Sequence, residues 1–168
     1  MVLTFKNVNP ENWSSSWKNS KQPRKQRKYL INAPKHIRRK IIVSQLSKEL
    51  RNLLKIRNLP VIVGDYVKIL RGKFRNKEGY VIYVDTKYYR VYVDSAQITK
   101  KNGETIHYPI HHSKIQILKL NLTDKKRIEI IKRKNPNLTE KEINELLKMS
   151  ITKKEDLKKV YDLNKTFK

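Results

Sequence analysis

No cysteine occurs in this chain. Disulfides, thiolate zinc sites and cysteine nucleophiles are therefore excluded, and the absence is compatible with a cytosolic setting. Glycine is also scarce, with four residues among 168, too few for a glycine-rich phosphate cradle. There is no nucleophile elbow, P-loop or dinucleotide fingerprint. The sequence thus points away from an enzyme, with no cofactor and no small-molecule substrate. Long apolar runs are missing, whereas a membrane-spanning helix needs roughly 18 or more such residues. The opening "MVLTFKNVNPENWSSSW" lacks the apolar core of a signal peptide, and its few basic residues and Glu11 suit a transit peptide poorly. Acidic residues are few as well, 15 Asp and Glu against 40 Lys and Arg, for a formal net charge of +25.

Such a field implies a polyanionic partner. Nucleic acid leads, because regular phosphates neutralise many cations with release of counterions. An anionic membrane surface comes second, and it would want an amphipathic helix with a large apolar face or a lipid anchor. Hydrophobic residues make up 38% of the chain and charged residues 33%, too polar a balance for one core spanning the whole length. The expected organisation is a basic arm with two short helices over 1–59, a small β domain over 60–120, and a helical, Lys-rich extension over 121–168.

Between Glu11 and Glu49 there is no carboxylate, while Lys and Arg are dense in "KQPRKQRKYLINAPKHIRRK". The first half of that stretch, rich in Pro, Asn and Ser, reads as irregular. Pro34 suits a first helical position and starts "PKHIRRKII". "SQLSKELRNLLK" sets Leu46, Leu50, Leu53 and Leu54 on one helical face, with Ser44 or Ser47 as cap. Pro60 marks a boundary. Beyond it the period changes to two. "GDYVKILRGKFRNKEGYVIYVD", "YRVYVD", "QITKKNGETIHYPI" and "SKIQILKL" read as strands and hairpins, with Asn102-Gly103 a strong turn signal. Five or so short strands suggest a mainly β fold built on a small, partly closed barrel. The Val81–Val84 spacing breaks simple alternation and hints at a bulge. From Thr123, read as a cap, the helical period returns in "DKKRIEIIKRK". Thr139 and Glu142 form a capping box ahead of "LTEKEINELLK". The tail to Lys168 mixes its lysines with Glu155, Asp156 and Asp162, which makes it a poorer phosphate binder than the arm.

"HYPIHH" offers His107, His111 and His112. Zinc requires three or four convergent ligands, yet adjacent strand residues face opposite sides, so packing or phosphate contact is the better reading. Asp65 and Asp85 lie near strand ends with nothing in the sequence to pair them. The basic groups are different. A charge run is commonly a solvated face, but residues 12–48 of the arm lack acids altogether, and the turn after Leu70 crowds Arg71, Lys73, Arg75 and Lys77 around Phe74. Interspersed Arg and aromatic side chains suit RNA, since guanidinium groups pair with phosphates and both can stack on unpaired bases. The candidate contacts on the arm are Arg24, Lys25, Arg27 and Lys28, then Lys35, His36, Arg38, Arg39 and Lys40. On the β domain they are Lys68, the turn Arg71, Gly72, Lys73, Phe74, Arg75 and Lys77, the hairpin tip Lys100 and Lys101, and then His112 and Lys114. Phe74 has two readings, stacking on a base or folding back on the barrel. Trp13 and Trp17 in the arm have two readings, anchors on RNA or a neighbouring protein, or exposed aromatics of a disordered arm.

Gly64–Asp85 resembles the KOW motif, "GDxVxVxxGxxxGxxGxVxxV", at Gly64, Asp65, Val67, Ile69, Gly72, Gly79, Val81 and Val84. Asn76 stands where glycine is usual, and asparagine tolerates the left-handed backbone better than most residues. The flanks "NAPKHIRRKIIVSQLSKELRNLLKIRNLPV", "KKNGETIHYPIHHSKIQIL" and "LTDKKRIEIIKRK" resemble, in order, the large-subunit ribosomal protein L twenty-six family of eukaryotes, counterpart of bacterial L twenty-four. The likeness runs from about Tyr29 to Lys134. It implies an SH3-like barrel bound to large-subunit ribosomal RNA near the peptide exit tunnel, with neighbouring ribosomal proteins as further partners. It also implies a structural and assembly role on cytoplasmic ribosomes, with assembly in the nucleus if the source is a eukaryote, and an arm that orders on binding RNA. The alternatives are a KOW-containing transcription-elongation factor, a basic nucleic-acid chaperone and, resting only on the histidines, a metal-dependent hydrolase.

Overall fold

A computed structural model of the chain describes residues 10–150, 158 and 160–163. The reading of the opening segment as neither signal nor transit peptide falls mostly on residues 1–9, and Glu155 and Asp156 of the tail also lie outside the described residues.

The stretch expected to be irregular contains a helix, α1 (Pro23–Asn32). Proline breaks a helix only in its interior. At the first position its missing N–H is an orphan anyway, and the Lys, Arg and Gln that follow are good helix formers. A short 3-10 turn, Ser15–Asn19, lies against α1. Pro34 stands just ahead of α2 (Lys35–Ile41) as its N-cap residue.

The next segment departs from the leucine-stripe reading. Val43–Leu46 is a strand, β1, in which Ser44 and Leu46 alternate inward. Four residues ending in leucine fit either period, and here long-range pairing decides. β1 runs antiparallel to β2 (Asn58–Pro60) and parallel to β9 (Ile115–Lys119). Between them lies α3 (Lys48–Leu54), capped by Ser47, whose hydroxyl accepts the Leu50 amide at 3.3 Å. Leu50 and Leu54 point into the core, as their spacing required.

The remaining strands are β3 (Tyr66–Ile69), β4 (Glu78–Asp85), β5 (Arg90–Val93), β6 (Gln97–Thr99), β7 (Thr105–His107) and β8 (Ile110–His111). Seven strands form one sheet in the order β2-β1-β9-β3-β4-β5-β8, while β6 and β7 make a separate hairpin. The molecule is thus sheet-rich with several helices. The sheet is open: among the described residues no backbone ladder joins β8 to β2. Pro60 lies in edge strand β2, where its missing donor costs least. The expected bulge is present as a register shift between Val81 and Tyr83 in the β4–β5 ladder, and the consecutive Val81 and Ile82 are both fully buried. In the β6–β7 turn only Gly103, at φ +84°, takes the left-handed conformation; Asn102 does not.

The C-terminal helices dock on this sheet. α4 (Lys125–Lys134) is capped by Asp124, which accepts the Lys126 amide at 2.9 Å, and not by Thr123, whose hydroxyl donates to Asn121 at 2.6 Å. The capping box of α5 (Glu140–Met149) is formed by Thr139 and Glu142. Ile131 of α4 and Leu146 of α5 join Leu46, Leu54, Val67, Val91 and Ile117 in one apolar core. A buried ion pair fixes α4. Arg127 approaches Asp65 with both terminal nitrogens, one at 2.8 Å, and donates further to the carbonyls of Asn121 and Pro60. Asp65 also accepts the amides of Ile62 and Asn121, so its oxygens are saturated. The carboxylate that has no evident partner in the sequence is therefore a structural clamp.

Candidate nucleic-acid interface

The basic turn is built by its backbone. Asn76 donates to the Ile69 carbonyl at 2.8 Å, Ile69 to Lys77 at 2.9 Å, and Arg75 to Gly72 at 3.0 Å. Two residues of the turn need the left-handed region, Gly72 at φ +106° and Asn76 at φ +66°. Asparagine thus does the work of the missing glycine, as its short polar side chain allows. Phe74, a candidate RNA contact by sequence, is buried. It is 6% exposed, with its ring 5.5 Å from that of Tyr108 and the Lys77 ammonium 5.4 Å above it. It pins the turn from beneath and has no free face for a base. Arg71, Lys73, Arg75 and Lys77 are left exposed around it.

The turn does not stand alone. Leu70 donates to the Lys114 carbonyl at 2.8 Å, and Arg90 pairs across the ladder with His111. A cleft of about 80 Å³ results, and Arg71, Lys73, Arg90, Lys114 and Tyr108 are among its walls. Arg90 and Tyr108 are not among the candidates that the sequence offers. Their only signals are an outward strand position and a tyrosine beside a proline, which many surface residues share.

His111 and His112 are committed to the fold. Ser113 donates its amide to His111 Nδ1 at 3.3 Å, and His112 Nδ1 donates to the Val43 carbonyl at 2.7 Å. Burial, then the neighbouring His112, Arg90 and Lys114, lower the pKa of His111 to about 4. Burial also lowers that of His112, against the Val43 hydrogen bond, which raises it. The His111 ring is therefore neutral at pH 7, and burial disfavours the charged form of His112. Among the described residues no group of three or more His, Asp or Glu is placed to hold a metal ion.

The arm presents Arg24, Lys25, Arg27 and Lys28 on α1, and Lys35, His36, Arg39 and Lys40 on α2, all exposed. Arg38 is the exception. It is 8% exposed and donates to the carbonyls of Ala33 at 2.6 Å and Ile31 at 2.8 Å. The Trp13 indole donates to the Tyr29 carbonyl at 3.1 Å, and the Tyr89 hydroxyl to that of Leu30 at 2.6 Å. Burial raises the Tyr89 pKa, which keeps the phenol a donor. Consecutive carbonyls at the end of α1 are thereby held, that of Leu30 by Tyr89 of the β domain and that of Tyr29 by Trp13 of the arm itself. Trp17 lies under the Lys28 ammonium at 4.8 Å. Lys68 and Lys100 are exposed or half-exposed partners of Glu78, at 3.3 Å, and Glu104, at 2.7 Å; such surface pairs hold their charges weakly. Lys101 is exposed on the same hairpin tip.

Residues 20–134 match the ribosomal protein family that joins L26 of eukaryotes with its L24-type counterpart of archaea. The large ribosomal subunit protein uL24 of Nanoarchaeum equitans (strain Kin4-M) is 56% identical over 131 residues, spanning 78% of this chain and 89% of that protein.

Proposed function

The chain belongs to the eukaryotic and archaeal ribosomal-protein family matched by residues 20–134, and on that premise we propose that it is a structural constituent of the large ribosomal subunit, binding ribosomal RNA near the peptide exit tunnel and supporting assembly. Its similarity to a large-subunit protein over most of both lengths supports this reading. So does one observation above all: the arm's exposed cations face solvent with no carboxylate between Glu11 and Glu49. Unopposed cations of this kind bind phosphates, which position a protein and carry no sequence information. The role is structural and not catalytic, on the ribosome in the cytoplasm, with neighbouring ribosomal proteins as further partners. We read Gly64–Asp85 as a KOW unit, the sheet as an SH3-like barrel, and residues 1–59 and 121–168 as the extensions that reach outward from it. The elongation-factor and chaperone readings are not favoured, since the family match takes in the arm and α4 as well as the KOW-like strands.

The test is sedimentation of cell extract in high salt. The protein should stay with the large subunit; its absence there would sink the proposal. At finer grain, alanine at Arg71, Lys73 and Arg75 together should weaken RNA binding and flatten its salt dependence while the sheet stays folded. Unchanged binding would make the turn a solvated hairpin end.

A further inference from the structure

The cleft beside the basic turn has a composition that RNA binding in general does not require. Arg71 and Lys73 come from the turn, Arg90 from the start of β5 and Lys114 from just ahead of β9, and no carboxylate is among the lining residues. Four like charges from three chain segments repel one another unless an anion sits among them. The cleft, at about 80 Å³, is far below the roughly 300 Å³ at which whole small-molecule ligands are housed. It suits a single phosphate group and leaves any attached base outside.

At its rim lies Tyr108, 42% exposed. A lone exposed tyrosine is ordinary. This one is backed by the buried Phe74 ring at 5.5 Å, and its amide is held by the Ala96 carbonyl at 2.7 Å. It is a braced aromatic surface beside a phosphate-sized cationic cleft. Arg71 also lines a second cleft, of about 450 Å³, with Arg57, Asn58 and Ser113, which gives a strand leaving the first cleft a polar route onward.

We infer that this cleft and rim form a nucleotide subsite for unpaired RNA, in which the phosphate lies among Arg71, Lys73, Arg90 and Lys114 and the base stacks on Tyr108. The inference rests on the RNA-binding reading and adds a preference for single strands over duplex at this point, since a paired base has no free face to offer.

The test uses the full chain and three probes: a single-stranded oligoadenylate, the same strand made abasic, and a blunt RNA duplex. Tyr108→Leu keeps an apolar contact for Phe74 but removes the ring. It should weaken oligoadenylate binding about tenfold, leave the abasic strand and the duplex unchanged, and be rescued by Tyr108→Phe. Arg90→Gln should reduce the salt slope on both single strands by about 0.7. Equal binding of oligoadenylate by wild type and Tyr108→Leu, or an equal loss on the abasic strand, would overturn the subsite. Sedimentation separates this from failure of the parent reading. Wild type retained on the large subunit with a silent Tyr108→Leu condemns only the subsite, whereas wild type absent from it condemns the ribosomal role.

Discussion

The arm and the C-terminal extension are both helical and both basic, yet their cations do different things. α1 exposes Arg24, Lys25, Arg27 and Lys28 and has no acid near it in sequence. α4 turns Arg127 inward, 4% exposed, onto the fully buried Asp65. The end of α1 is held by its backbone, through a carbonyl that accepts from Tyr89 of the β domain and others that accept from Trp13 and Arg38 of the arm itself. The extension is held by a charge pair and by Ile131 and Leu146 in the core. An arginine with a carboxylate within reach becomes a structural part. So does one that meets backbone carbonyls, as Arg38 does; an arginine that meets neither is left for a ligand.

The largest effect should come from removing the clamp. Asp65→Ala leaves Arg127 buried without its counter-ion and should cost about 3–5 kcal/mol in chemical denaturation. Adding Arg127→Met should restore much of that loss, because no lone charge then remains in the core. If Asp65→Ala costs no more than a surface substitution, the pair is not what docks α4.

Arg38→Ala should act locally. It removes two hydrogen bonds from a charged donor, each worth about 1.5–3 kcal/mol, and should release the end of α1. Limited proteolysis should then cut within residues 20–34, with little change in the main unfolding transition. A protected arm would show that Trp13 and Tyr89 suffice.

Acid should test the histidine seam between β1 and β8. His111 in the folded protein titrates near 4, against about 6.5 ordinarily. Between those values the unfolded chain takes up a proton that the folded ring does not. Stability should therefore fall as pH drops from about 6.5 toward 4. His111→Gln should give a flatter profile over that window, and matching profiles would rule out this cause.

The smallest effect on stability belongs to the arm. Glutamine at Arg24, Lys25, Arg27 and Lys28 should leave unfolding within about 0.5 kcal/mol of wild type. The salt slope of RNA binding should still fall by about 0.7–0.9 for each phosphate no longer neutralised. A drop in stability with no change in slope would reverse the comparison between the two regions.

Local features were legible in the chain. Asn76 takes the left-handed turn position, the β4 bulge sits where alternation breaks, and Thr139 with Glu142 closes its capping box. Each depends on residues a few positions apart. What escaped depends on distant partners. β1 hid inside a leucine spacing because its ladder with β9 joins Gln45 to Gln116. Phe74 looked like a ligand contact because its burial comes from Tyr108; Arg38 is the exception, since its carbonyl partners Ala33 and Ile31 are close in the chain but its inward turn depends on how α2 packs. Arg90 and Tyr108 gained meaning only when separate strands brought them to one cleft.

Composition and local pattern alone fix the sign and scale of the charge, the lack of acids over residues 12–48, the left-handed turn at Asn76 and the Thr139–Glu142 cap. Charge adds up along a chain wherever it folds, and φ preferences act residue by residue. Which cations stay free is settled by long-range packing. Asp65 and Arg127 stand 62 positions apart in the chain, and no local rule pairs them. Whether an arginine meets a carboxylate, a carbonyl or a solvent-filled cleft depends on which distant segments the sheet places beside it.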